Sequence, residues 1–192
     1  RKKGFLKFTA TLLAVIFLCS SSFIFLFSAV SGYTRKDLER NEYIASSQLK
    51  SSPLVTNILL LGVDGKADSS SRADSMILVS IDFAHAKIKL VSFLRDSWVD
   101  IPSKGKKAKL NAACSYGGPQ LVVDTIEYNF GVDIDHYVMV DFNMFTQIID
   151  NLGGVDVEVT KKEADFINRT TRQTVDYGES VHLNGEEALV YC

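Results

Sequence analysis

Ser75–Met76–Ile77–Leu78–Val79–Ser80–Ile81–Asp82, then Phe83–Ala84–His85–Ala86, then Lys87–Ile88–Lys89–Leu90–Val91–Ser92–Phe93 decide the fold. Both flanking runs are rich in β-branched and aliphatic residues, so both read as strands. Only four residues separate them. Four residues cannot hold a crossover helix, so the pair is an antiparallel hairpin, and a purely parallel doubly wound sheet is excluded. Upstream, Asn57–Ile58–Leu59–Leu60–Leu61–Gly62 is a short apolar run ending at glycine and reads as a buried central strand. A polar loop covers 63–73.

Downstream, residues 95–108 are rich in Lys, Ser and Gly and read as a loop. Pro119 to Phe130 carries apolar residues at 121, 122, 123, 126 and 130, which predicts a helix that Gly131 stops. Asp135 to Val140 reads as a strand. Asp141 caps a helix from Phe142 to Leu152, which Gly153–Gly154 ends. Val155–Asp156–Val157–Glu158–Val159 alternates as a half-exposed strand. Residues 160–182 are polar and carry no readable element, and Asn184 caps a last helix, Gly185 to Tyr191. The order β, ββ, α, β, α, β, α gives a mixed sheet with helices, in α/β or α+β style.

The chain has 192 residues, 46% of them apolar, enough for one ordinary domain. Its 21 basic and 23 acidic residues exclude a basic polymer, and three cysteines exclude a disulfide-dense scaffold. The charge is unevenly placed. Residues 1–36 hold six basic groups and no acidic one, while the rest holds 15 basic and 23 acidic, a net of -8. A part that acidic is a poor bulk binder of nucleic acid, so no nucleic-acid partner is expected.

From Phe8 to Val30 no residue is charged. A helix over that run rises about 35 Å, enough to cross a bilayer with some tilt. Arg1, Lys2, Lys3 and Lys7 precede it, which sets the N-terminus in the cytoplasm. A cleavable signal peptide has a shorter apolar core, about 7–15 residues. The expected organisation is a cytoplasmic basic tail (1–7), a transmembrane anchor (8–30), a juxtamembrane stalk (31–55) with a short helix around Asp37–Leu49, and an extracellular domain (56–192).

Absent motifs narrow the chemistry. There is no G-x-S-x-G, no G-x-x-x-x-G-K-S/T, no H-E-x-x-H and no C-x-x-C, and the three histidines are scattered. Charged residues instead gather at strand ends. Asp64 follows the first strand, Arg72 and Asp74 come just before the second, Arg95–Asp96 follow the third, and Lys104, Lys106, Lys107 and Lys109 crowd the next loop. If those loops converge, two carboxylates and several cations suit a divalent metal and a pyrophosphate, with hard oxygens for the metal and guanidinium forks for phosphate. Each residue also has a plainer use: Asp64 closing an Asx turn, Arg72 with Asp74 as a surface ion pair, the lysines as a solvated loop.

Several strings taken in order resemble the LytR–CpsA–Psr (LCP) family. They are Asn57–Ile58–Leu59–Leu60–Leu61–Gly62–Val63–Asp64, Ser71–Arg72–Ala73–Asp74–Ser75–Met76–Ile77–Leu78, Ser92–Phe93–Leu94–Arg95–Asp96–Ser97, Lys109–Leu110–Asn111–Ala112–Ala113 with Tyr116–Gly117–Gly118, Gly153–Gly154–Val155–Asp156–Val157 and Leu183–Asn184–Gly185–Glu186–Glu187–Ala188–Leu189. The resemblance implies α/β/α layers with a greasy pocket for a polyprenyl chain and Mg2+ on a pyrophosphate. It implies a membrane-anchored transferase that moves a glycopolymer from a polyprenyl-pyrophosphate carrier to the C6 hydroxyl of N-acetylmuramic acid in peptidoglycan. Asp64 and Asp74 match the metal-side carboxylates, Arg72 and Arg95 the phosphate-binding arginines, and Lys109 and Asn111 the basic-and-amide motif. The family's Arg-x-Arg motif comes after Ala188–Tyr191, and this chain ends at Cys192, so the domain is expected to be incomplete at its C-terminus.

The alternatives are a polyprenyl-pyrophosphate hydrolase and a non-catalytic envelope-binding or regulatory protein. Outside the apolar run, Cys114 and Cys192 are the two remaining cysteines, on the expected oxidising side, which makes them a possible disulfide.

Overall fold

A computed structural model describes residues 36–64 and 71–192. The expected anchor (8–30) lies outside the described residues, as do the basic tail and the first part of the stalk. Among the described residues no helix is long and apolar enough to cross a membrane.

The first three strands are β1 (Val55–Val63), β2 (Ala73–Asp82) and β3 (Lys87–Ser92). β2 runs antiparallel to both neighbours, so the short hairpin forms as its length requires. Next come β4 (Trp98–Ile101) and β5 (Lys106–Lys109), a separate antiparallel pair, and the helical stretch α1 (Ala112–Phe130). β6 (His136–Val140) lies parallel to β1 and completes a mixed sheet of order β3-β2-β1-β6. The remainder is α2 (Phe142–Asn151), β7 (Val155–Val159), α3 (Lys161–Thr171), β8 (Gly178–Leu183) and α4 (Gly185–Tyr191), with β7 and β8 antiparallel.

Alternation on β1 turns Asn57, Leu59, Leu61 and Val63 to one face, where they are buried. They share a core with Leu121, Val122 and Ile126 of α1 and with Val99, Ile101 and Ala108 of the β4–β5 pair. Burying a leucine such as Leu59 stabilises by about 1.5–3 kcal/mol. The other face of the sheet leaves Leu60, Ile88, Leu90 and Val138 exposed. The described residues therefore do not form the second helical layer of an α/β/α arrangement over it. A second core gathers Val159, Ala164, Ile167, Val175, Leu183 and Ala188.

Helix ends follow the expected chemistry. Asp141 Oδ1 accepts from the Met144 N–H at 2.8 Å, and the Asn184 side chain accepts from the Glu187 N–H at 3.0 Å. Gly131, at φ 67°, closes α1. Gly118 breaks α1 near its start, with φ 70° and ψ -164°, a region open to glycine alone. Pro119 then begins the regular part, where its missing N–H is not needed.

Three expectations are corrected. Residues 95–108 are not one loop. Val99, Ile101 and Ala108 alternate inward from β4 and β5, and Gly105 supplies the left-handed turn residue between them. Residues 160–182 hold α3 and β8; Thr160 and Glu163 form a reciprocal capping box at the start of α3. Residues 37–49 form no α-helix, only a single 3-10 turn at Ser46–Gln48. The segment from Leu38 belongs to the same unit as the rest of the domain. Asn41 is buried and its Nδ2 donates to Glu127 Oε2 at 2.8 Å and to the Asp124 carbonyl at 3.1 Å. Farther along, Lys50 bridges to Val132.

Candidate active site

The expected site residues collect where β1, β2 and β3 end. Val63 pairs with Ala73, and Asp64 and Arg72 take the next position out on each strand. Between the pairs Gly62–Ser75 and Val63–Ala73 the register shifts, and Asp74 is the extra residue. This is a β-bulge, which breaks the alternation of the strand. Ala73 and Met76 are buried, and Asp74 and Ser75 between them are both exposed. Asp74 thus lies within β2, not in the preceding loop, and the bulge turns its carboxylate outward.

Past the last β2–β3 pair (Ile77–Ser92), the Phe93 N–H still bonds to the Met76 carbonyl at 2.9 Å. Continuing that register sets Arg95 across from Asp74, and Arg95 Nη1 donates to Asp74 Oδ1 at 2.8 Å. The same turn begins the next hairpin. The Leu110 N–H donates to the Ser97 carbonyl at 2.9 Å, and the Asn111 N–H to the Arg95 carbonyl at 3.1 Å. Asp96 Oδ1 accepts from Lys109 Nζ at 2.6 Å, with Arg95 Nε 4.0 Å from its other oxygen. The Lys109 hydrogen bond, aided by the charges of Lys109 and Arg95, holds the Asp96 carboxyl below the usual carboxylate range.

One run of alternating charge, Asp74–Arg95–Asp96–Lys109, therefore joins the sheet to the β4–β5 hairpin, with Asn111 buried at its foot. Asp64 and Arg72 are exposed at the neighbouring strand ends. Asp96 was not among the expected site residues, although it stands next to Arg95; its role follows from the hairpin that brings Lys109 to it.

The surface here is open and charged. A depression of about 170 Å³ lined by Lys162, Phe166, Val190 and neighbours lies on α3 and α4 and contains none of these residues. Among the described residues no three His, Cys, Asp or Glu side chains converge as a metal cluster. Asp64 and Asp74 are two exposed carboxylates of the hard-oxygen kind that Mg2+ takes, an ion commonly held by one or two carboxylates plus substrate phosphates and water.

The possible disulfide is not formed. Cys114 is fully buried in the first core, while Cys192 is exposed at the end of α4, which belongs to the second. Cys114 is enclosed by its core neighbours while Cys192 stands in solvent, so the two remain thiols.

Comparison with known proteins gives one consistent picture. The LytR_cpsA_psr family model matches residues 22–192. The polyisoprenyl-teichoic acid–peptidoglycan teichoic acid transferase TagV of Bacillus subtilis (strain 168) is 36% identical over 172 residues, covering 86% of this chain and 42% of that protein. The regulatory protein MsrR of Staphylococcus aureus (strain COL) is 37% identical over 138 residues, covering 71% of this chain and 40% of MsrR. A solved structure of the LytR-CPS2A-psr family protein YwtF (TagT) with bound octaprenyl pyrophosphate lipid superposes with a TM-score of 0.66 at 30% identity, covering 82% of this chain and 65% of that one. The chain spans less than half the length of the two curated relatives.

Proposed function

The chain belongs to the LytR–CpsA–Psr family, and from that premise we propose that it is a membrane-anchored phosphotransferase of cell-wall assembly. It moves a glycopolymer from a polyprenyl-pyrophosphate carrier to peptidoglycan, at the C6 hydroxyl of N-acetylmuramic acid. The observation that carries this reading is the Asp74–Arg95–Asp96–Lys109 run beside Asp64 and Arg72 at one end of the sheet. It supplies both signs of charge that a pyrophosphate and its counter-ion need.

Phosphoryl transfer asks for alignment and charge neutralisation more than for covalent chemistry. Arg72 and Arg95 bind phosphate oxygens, and Arg95 is oriented by its bond to Asp74. Lys109 and Asn111 bind the same group from the hairpin side. Asp64 and Asp74 would hold Mg2+, which supplies charge neutralisation on the pyrophosphate when bound. The sugar hydroxyl oxygen bonds to the sugar-side phosphorus as the bond from that phosphorus to the bridging oxygen breaks. Polyprenyl phosphate leaves, and a carboxylate of the Asp64–Asp74 pair takes up the hydroxyl proton. The exposed apolar face of the sheet, with Leu60, Ile88, Leu90 and Val138, is suited to the prenyl chain.

An anchor at 8–30, with the domain outside, suits a lipid-borne donor, because tethering raises its effective concentration at the bilayer surface. The test is transfer of a lipid-linked polymer to peptidoglycan by the membrane-inserted protein in the presence of Mg2+. Release of free polymer without attachment would instead assign a hydrolase. The likeness to the regulatory protein MsrR favours a regulatory reading, which predicts neither product.

A further inference from the structure

At the far end of the β4–β5 hairpin, two ammonium groups face one exposed ring. Lys104 Nζ stands 5.6 Å and Lys106 Nζ 5.8 Å from the centroid of Tyr116, which is 40% exposed. Among the described residues neither lysine has a carboxylate within salt-bridge distance, whereas Lys107 is paired with Asp100 and Lys109 with Asp96. Two like charges at one ring, neither with a carboxylate partner, favour an anion beside them. An exposed cation–π contact is weak enough to yield to one. The ring then offers a flat apolar surface of the kind that packs against the C–H face of a sugar.

We propose that Lys104, Lys106 and Tyr116 form a subsite for an anionic sugar–phosphate polymer. Lys106 and Lys109 open and close β5, three residues and about 10 Å apart, so the slot lies within reach of a chain whose pyrophosphate end is held at the Arg95 cluster. The subsite therefore rests on the transferase reading and adds a charge requirement for the polymer. A bilayer surface fits the slot less well. The large apolar side chain of this hairpin, Trp98, is paired with Lys109 on the opposite face from the Ile101–Lys106 pair that leads to the slot.

The experiment is calorimetric titration of the full chain with a lipid-free, glucosylated poly(glycerol phosphate) oligomer, alongside vesicles of phosphatidylglycerol. The wild type should bind the oligomer. Lys104→Ala/Lys106→Ala should weaken it by at least about tenfold and flatten its salt dependence. Tyr116→Leu should weaken it about threefold. All three side chains are exposed, and unchanged circular dichroism confirms that the variants fold. Equal affinity in the double variant overturns the proposal, as does absence of oligomer binding by the wild type. Vesicle binding that depends on the two lysines without oligomer binding overturns it in favour of a membrane contact. The oligomer carries no pyrophosphate and no lipid. Absence of transfer by the wild type would thus sink the functional reading, while oligomer binding would still stand for the subsite.

Discussion

Arg95 meets Asp74 at 2.8 Å because the β2–β3 register continues past the last ladder pair and a bulge turns Asp74 outward. Two features of the sheet thus aim one guanidinium and one carboxylate at the same point. Both side chains are part-exposed, 55% and 37%, so their pairing adds little to stability. Its use is positional. Asp74→Asn and Arg95→Ala should each lower polymer transfer by at least about tenfold, equivalent to about 1.4 kcal/mol of transition-state stabilisation. The melting transition should stay unchanged. Wild-type transfer rates in either variant would remove the pair from the catalytic machinery.

Lys109 reaches Asp96 at 2.6 Å and holds its carboxyl below the usual range. A depressed carboxylate favours the folded state above its unfolded pKa, and that contribution is lost as pH falls through the folded value. Asp96 should stay ionised into more acidic solution than an ordinary aspartate. In Lys109→Met it should titrate closer to the usual value. Carbon-detected NMR titration of the side chain measures this directly. No difference between the two proteins would mean that the ion pair does not persist in solution.

The β2–β3 hairpin was legible because a four-residue connection leaves one topology. Caps at Asp141 and Asn184 were legible because their partners are local. The β4–β5 hairpin was hidden by its composition. Four lysines and three glycines between 95 and 118 outweighed the inward alternation of Val99, Ile101 and Ala108. The Thr160–Glu163 capping box was in plain view and marks α3, yet the polar helix behind it shows a buried stripe of only Ala164 and Ile167. The site was half legible. Arg95 and Asp74 stand near strand ends in the sequence. The bulge that exposes Asp74 depends on how β2 pairs with β1, and the bond from Lys109 to Asp96 depends on the hairpin; neither relation is local.

Cys114 is enclosed in the core at 0% exposure, and Cys192 is exposed. Alkylation of the native chain should modify Cys192 within minutes and leave Cys114 protected until the domain opens. Peptide mass spectrometry after native and denatured labelling reads both rates. A cross-linked peptide pair in non-reduced protein, or rapid native labelling of Cys114, would contradict this packing.

The segment from Leu38 is fastened by a buried polar contact, and its strength should depend on pH. Asn41 Nδ2 donates to Glu127 Oε2, and the Ile134 N–H donates to the other oxygen at 3.0 Å. Burial pushes the Glu127 carboxyl above its ordinary range, with smaller contributions from Asp133 and Asp124; the two hydrogen bonds pull the other way. Asn41→Ala leaves one buried oxygen without its donor, which should destabilise by about 1–3 kcal/mol at neutral pH. A raised carboxyl contributes stability that is fully present below the unfolded pKa and is lost as pH rises through the folded value. Removing Asn41 raises Glu127 further, so the variant should lose more stability than the wild type on going from acid to neutral pH. Urea unfolding at about pH 3.5 and pH 7, below and above the ordinary glutamate value, checks the sign. A penalty of equal size at both values would mean that Asn41 acts by packing alone and that Glu127 does not feel its loss.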